Sequence, residues 1–162
     1  MPAKRTVLFV CTGNVCRSPM AAGFFYDKLV QDKMDGCVRV RSAGIWALEG
    51  QPASAYALQV MGEHGLDISA HRGRNLTQAD VEEADLILVM TKRHAEIIVR
   101  DFPSSAGKVH LLSEMAGESY DIQDPYGGSL LEYRRTAAEL ANLIEQGYAK
   151  IMKWLRCQPS SQ

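Results

Sequence analysis

The chain has 162 residues, 46% of them apolar and 23% charged, and its 18 basic residues nearly balance 19 acidic ones for a formal net charge of −1. A chain of this length buries about 70% of its unfolded surface, which excludes a disordered tail or a stapled mini-protein. The balanced charge removes the electrostatic basis for holding a polyanion, so no nucleic-acid partner is expected.

Val7-Leu8-Phe9-Val10 is a continuous apolar run of the kind a strand buried on both faces shows. It is far shorter than the ~20 residues needed to cross a bilayer, and no small-residue cleavage site follows it, so a cytoplasmic protein with no membrane partner is expected. Ser18-Pro19 supplies an N-cap and a first helical position, and the helix is predicted from Pro19 to about Met34, burying Ala21, Phe25 and Leu29. Gly36 is the predicted stop, and Val38 to Ser42 alternates as a second strand, completing a βαβ unit.

Pro52 is expected to open a helix that buries Ala53, Ala57, Val60 and Met61 and ends at Gly65. Thr77-x-x-Asp80 has the form of a capping box for a shorter helix. Leu86 to Met90 is the third buried strand, Thr91 caps a helix to about Phe102, and Val109 to Leu112 is the fourth strand. In the last helix Tyr133, Ala137, Leu140, Ile144, Tyr148, Ile151 and Leu155 recur every three or four residues behind Ser129-x-x-Glu132.

This pattern predicts a single α/β domain over 1–162, with a core of about 5–157 and frayed ends at Met1 to Arg5 and Gln158 to Gln162. Its sheet is four-stranded and parallel, with helices on both faces. Ligands of such sheets bind beyond the carboxyl ends of the strands, here where the loops after strands one and four can meet.

The first of these loops, Cys11-Thr12-Gly13-Asn14-Val15-Cys16-Arg17-Ser18, lies between a buried strand and a helix start, so its backbone N–H groups can converge on an anion at the positive end of the helix dipole. Five residues between Cys11 and Arg17 suffice to wrap a phosphate, with the sulfur beneath phosphorus and the guanidinium gripping two oxygens. Gly13 permits close backbone approach and Asn14 tolerates a left-handed turn. The dipole and Arg17 favour a thiolate at Cys11, which facing a phosphate is a nucleophile able to form a phosphocysteine; this chemistry calls for no metal and no cofactor.

Cys-x4-Cys could instead supply two zinc ligands, but Cys37 and Cys157 stand alone and no paired histidines complete the set. Cys16 has two readings, packing or a partner that traps Cys11 reversibly as a disulfide.

In the second loop Asp124, before Pro125-Tyr126-Gly127-Gly128, is the candidate proton donor to the leaving oxygen, although turn chemistry accounts for Asp-Pro equally well. Tyr120, Tyr126 and Trp46 fall in loops, where each is either core or the wall of a slot for a flat ring. His64 and His71 read as structural, and Lys92, Arg93, Arg134 and Arg135 as solvated helix faces.

The run Val7 to Ala21 resembles the opening signature of the low-molecular-weight protein tyrosine phosphatases almost residue for residue. Asp124-Pro125-Tyr126 resembles their acid loop, and Arg41-Ser42-Ala43-Gly44 and Ala84 to Met90 are similar too. The resemblance implies a flavodoxin-like fold with strand order 2-1-3-4, with Cys11 as nucleophile, Arg17 as clamp and Asp124 as acid then base. It implies phosphate binding by Thr12 to Ser18, a substrate slot at Val15, Trp46 and Tyr126, and a support network of Asn14, Ser18, Ser42 and His71 in which the Ser18 hydroxyl stabilises the thiolate.

Two relatives share the scaffold. In protein arginine phosphatases the position of Val15 resembles threonine, whose hydroxyl can place a guanidinium; Val15 lacks it, which favours a phosphotyrosine protein as substrate over phosphoarginine. Thioredoxin-coupled arsenate reductases need further cysteines in mid-chain, and none lies between Cys37 and Cys157. The reading from another class is a non-catalytic phosphate-binding module.

Overall fold

The computed structural model describes residues 4–157. Along the chain run β1 (Arg5–Cys11), α1 (Arg17–Gln31), β2 (Val38–Gly44), α2 (Ala55–Glu63), α3 (Gln78–Glu83), β3 (Leu86–Val89), α4 (Lys92–Asp101), a 3-10 turn (Pro103–Ser105), β4 (Val109–Leu111), α5 (Leu112–Met115) and α6 (Leu130–Trp154). The four strands form one parallel sheet in the order β2-β1-β3-β4, the doubly wound arrangement expected from the alternation of strands and helices.

The pleat sorts the strand residues onto two cores. Val7, Phe9, Leu86 and Leu88 pack with residues of α1, α2 and α6. Leu8, Val10, Ile87 and Val89 face the other way, against Val81 of α3 and Ile98 of α4. Burial on both faces is what makes these strands read as unbroken apolar runs.

Element ends depart from expectation for local reasons. Arg5, expected to be frayed, opens β1, and its N–H donates to the Cys37 carbonyl at 3.0 Å; residues 1–3 and 158–162 of the expected frayed ends lie outside the described residues. The first helix stops at Gln31, ahead of Gly36, because Lys33 takes a left-handed φ of 58°. The N–H groups of Lys33 and Met34 then return to the carbonyls of Val30 and Leu29 at 3.1 and 2.8 Å, a Schellman closure made without glycine.

Pro52 does not open α2. The Ser54 N–H donates to the Val15 carbonyl at 2.9 Å, which keeps the chain extended until Ser54 can act as N-cap. The capping box at Thr77 and the Thr91 cap form as the sequence predicts. The short α5 has no periodicity long enough to see in the sequence.

Cys157 Sγ lies 3.7 Å from the Cys37 carbonyl oxygen, at the end of the sheet opposite Cys11. Among the described residues no helix is long and apolar enough to cross a membrane.

Candidate active site

The loop after β1 is held from beneath by one asparagine. Asn14 is fully buried with φ 57°, the left-handed turn its side chain tolerates. Its Nδ2 donates to Ser18 Oγ at 2.8 Å and to Ser42 Oγ at 3.0 Å. Its Oδ1 accepts from the Arg74 backbone N–H at 3.0 Å, and its carbonyl accepts from His71 Nε2 at 2.6 Å.

Ser18 is not the helix N-cap; Cys16 is, and no side chain caps that end. The serine lies in the first turn, and because its oxygen accepts from Asn14, its single proton is free to donate to Cys11 Sγ, 3.0 Å away. The uncapped first-turn N–H groups and this donor surround the sulfur with positive potential. Gly44 packs directly beneath this loop: a Cβ there would stand 2.7 Å from the Thr12 carbonyl oxygen.

Arg17 reaches across to the loop that follows α5. Its side chain is 4% exposed; Nη1 donates to the Ile122 carbonyl at 2.8 Å, and Nη2 lies 3.5 Å from Asp124 Oδ2. Nη2 is also 3.5 Å from Thr12 Oγ1, and Nε is buried without a hydrogen-bond partner among the described residues. Nε therefore keeps a free donor for an oxygen of a tetrahedral anion. Asp124 is partly exposed, and its Oδ1 accepts from the Tyr126 N–H at 3.1 Å, the turn contact that Asp-Pro suggests.

These groups open into a cleft of ≈ 650 Å³ lined by Cys11, Thr12, Val15 and Asp124, with Trp46 and Tyr126 on its wall. Trp46 is 83% exposed and Leu48, also lining the cleft, 74%. Tyr120 is not part of this wall: its backbone pairs with the Ser113 hydroxyl and its ring packs against the core. His64 stacks edge-on against Phe24, and Lys92, Arg93, Arg134 and Arg135 are exposed, Arg134 paired with Glu63 at 2.8 Å.

Cys16 lies beside this cleft in a cluster of hydroxyls, its Sγ 3.3 Å from both Ser54 Oγ and Tyr133 Oη. Burial pushes its thiol up, outweighing the two hydrogen bonds. Cys16 is also part of the buried core that α1 and α6 share.

One buried residue behind the cleft has no sequence signal for its position. His94, in the first turn of α4, is buried, and its Nε2 lies 2.9 Å from Thr12 Oγ1. A histidine on a helix of strong polar character carries no signal of this role. Burial, and then the Arg17 charge, lower its pKa from 6.5 to about 4.

An unfolded chain binds a proton at this ring below pH 6.5, whereas the folded chain does so only near pH 4, so acidification through that window favours unfolding. The full shift corresponds to at most about 3 kcal/mol. His71 is shifted in the same direction, burial outweighing its hydrogen bond to Asn14. The melting temperature is expected to fall between pH 6.5 and 4, and to fall less steeply in His94→Phe; equal slopes in thermal melts would remove the histidine from this account.

Sheet and cleft together define a doubly wound α/β protein with a thiol at the floor of an anion-sized loop at the switch point of the strand order. The family model described as low molecular weight phosphotyrosine protein phosphatase matches residues 6–158. The chain belongs to that family, whose members are hydrolases that work through a phosphocysteine.

It is 42% identical over 147 residues to a probable low molecular weight protein-tyrosine-phosphatase EpsP of Ralstonia solanacearum, covering 91% of this chain and 96% of that one. It is 41% identical over 141 residues to a protein-arginine-phosphatase of Geobacillus stearothermophilus, covering 86% and 91%. The crystal structure of a low molecular weight protein tyrosine phosphatase from T. tengcongensis superimposes with a TM-score of 0.86 at 43% identity, over 91% of this chain and 99% of that one.

Proposed function

We propose that this chain hydrolyses phosphotyrosine in proteins, with Cys11 as nucleophile, Arg17 as clamp and Asp124 as acid and then base. The observation that carries the reading is the Cys11 sulfur, held by the Ser18 hydroxyl in a cleft lined by Cys11 and Asp124, with Arg17 Nη2 3.5 Å from Asp124 Oδ2. The thiolate attacks phosphorus and the P–O bond to the phenol breaks, its oxygen taking the Asp124 proton. Water then attacks phosphorus, gives a proton to Asp124, and the S–P bond breaks to release phosphate and the thiolate.

Charge on the equatorial oxygens is met by the Arg17 guanidinium and the N–H groups of Thr12 to Ser18. Trp46, Tyr126 and the aliphatic Val15 suit a flat aromatic leaving group. The protein acts in the cytoplasm, where reducing conditions keep Cys11 and Cys16 as thiols, and its core domain occupies about residues 5–157 of 1–162.

A second reading, phosphoarginine hydrolysis, is favoured by the relative from Geobacillus stearothermophilus. Val15 decides between them, since a hydroxyl that contacts a polar substrate discriminates by far more than a methyl group does. In parallel assays with chelator present, the parent is expected to prefer phosphotyrosine peptides, and Val15→Thr to raise the relative rate on phosphoarginine about tenfold or more. A parent faster on phosphoarginine would reverse the assignment, and binding of phosphate with no turnover of either peptide would leave only a binding module.

A further inference from the structure

His94 is buried behind Thr12, which lines the cleft, yet the reaction above gives it no part. Its first-turn position is fixed twice over: the His94 N–H donates to Thr91 Oγ1 at 3.1 Å, and the neighbouring Lys92 N–H to Asp121 Oδ1 at 2.9 Å. The ring then meets Thr12 Oγ1 through Nε2 at 2.9 Å, while Nδ1 is buried with no hydrogen-bond partner among the described residues. Thr12 Oγ1 also lies 3.5 Å from Arg17 Nη2, which can only donate.

A hydroxyl has one proton and two lone-pair sites. With the ring proton on Nδ1, an N–H would be buried with nothing to receive it, and the Thr12 proton would turn away from the cleft toward Nε2. With the ring proton on Nε2, His94 and Arg17 fill both lone pairs of Thr12 Oγ1, and the threonine proton is left to the cleft that Thr12 lines. Buried N–H groups without an acceptor are the rarer defect.

We propose that His94 is a positioning residue whose Nε2–H, given to Thr12 Oγ1, aims the Thr12 hydroxyl at the phosphoryl oxygens of the substrate. The assignment rests on the phosphatase reading above. The charged groups facing the ring are Arg17 from α1 and Asp121 and Asp124 from the loop after α5. Burial and Arg17 outweigh the two carboxylates, so the ring stays neutral until about pH 4 and keeps a single proton to place.

A double-mutant cycle on aryl phosphate tests this coupling. Thr12→Val and His94→Phe are each expected to lower kcat about tenfold with less change in KM, and the pair to be no slower than either alone. His94→Gln, whose amide can still donate, is expected to recover most of the loss.

Losses that multiply, or an unchanged His94→Phe, would overturn the assignment. Nitrogen-15 spectra of the parent supply a readout that survives a variant failing to fold: the neutral Nε2–H tautomer is expected, and the Nδ1–H tautomer would overturn it. Turnover of the parent that disappears in Cys11→Ser supports the phosphatase reading separately, so multiplying losses in an active parent sink only His94, whereas an inactive parent sinks both.

Discussion

Replacing Cys11 with serine is expected to lower kcat on aryl phosphates by on the order of 10⁴-fold or more, because a nucleophile that acts as part of a unit cannot be removed without losing nearly all of the unit's rate. The structure gives the physical reason. Cys11 Sγ lies 3.0 Å from the Ser18 hydroxyl, beside the uncapped first turn of α1. A serine hydroxyl at that point stays protonated at neutral pH and faces donors where it needs a base.

The loop itself should survive the change, since Asn14, Ser42 and His71 do not touch the sulfur. Inorganic phosphate is therefore expected to protect Cys11→Ser against thermal unfolding as it protects the parent. Residual turnover within tenfold of the parent would move the nucleophile elsewhere.

Asp124→Ala is expected to slow hydrolysis of phenyl phosphate by about 10²-fold, with a much smaller loss on a nitro-substituted phenyl ester. The difference arises because a phenolate stabilised by a nitro group departs without a proton, whereas phenolate itself needs one. Asp124 is placed for this task at the cleft, its Oδ1 turned to the Tyr126 N–H and its Oδ2 3.5 Å from Arg17 Nη2. Equal losses on the two esters, measured as kcat under saturating substrate, would make Asp124 a turn residue and no proton donor.

The sequence discloses those parts of the molecule that obey a local rule. β1 is legible because both its faces are buried, α6 because its apolar residues recur at helical spacing, and the loop between β1 and α1 because its chemistry-bearing residues are consecutive. What it hides is made by contacts between distant segments. The Arg17 bond to the Ile122 carbonyl joins residues 105 positions apart, and the His94 contact with Thr12 spans 82.

Local rules also mislead where two uses compete for one residue. Ser18 before Pro19 has the form of a cap, but Asn14 and Cys11 claim its hydroxyl, so the helix begins without one. Tyr120 sits in a loop, as a slot residue should, and is drawn inward by the Ser113 hydroxyl. The support residues Asn14, Ser18, Ser42 and His71 came only from the family resemblance; nothing in their spacing brings them together, because β2 and the segment before α3 must first fold against β1.

The carbonyl that holds Arg17 belongs to Ile122, itself fully buried and tied through its own N–H to Met90 at 2.9 Å. The guanidinium is therefore a tie-rod between the first crossover and the far side of the sheet, and a displacement at either end is felt at the other. Anyone regrafting the stretch around Asp124 to suit a different alcohol inherits that linkage: the graft must present an inward-facing carbonyl at position 122, or the anion grip loosens together with the acid.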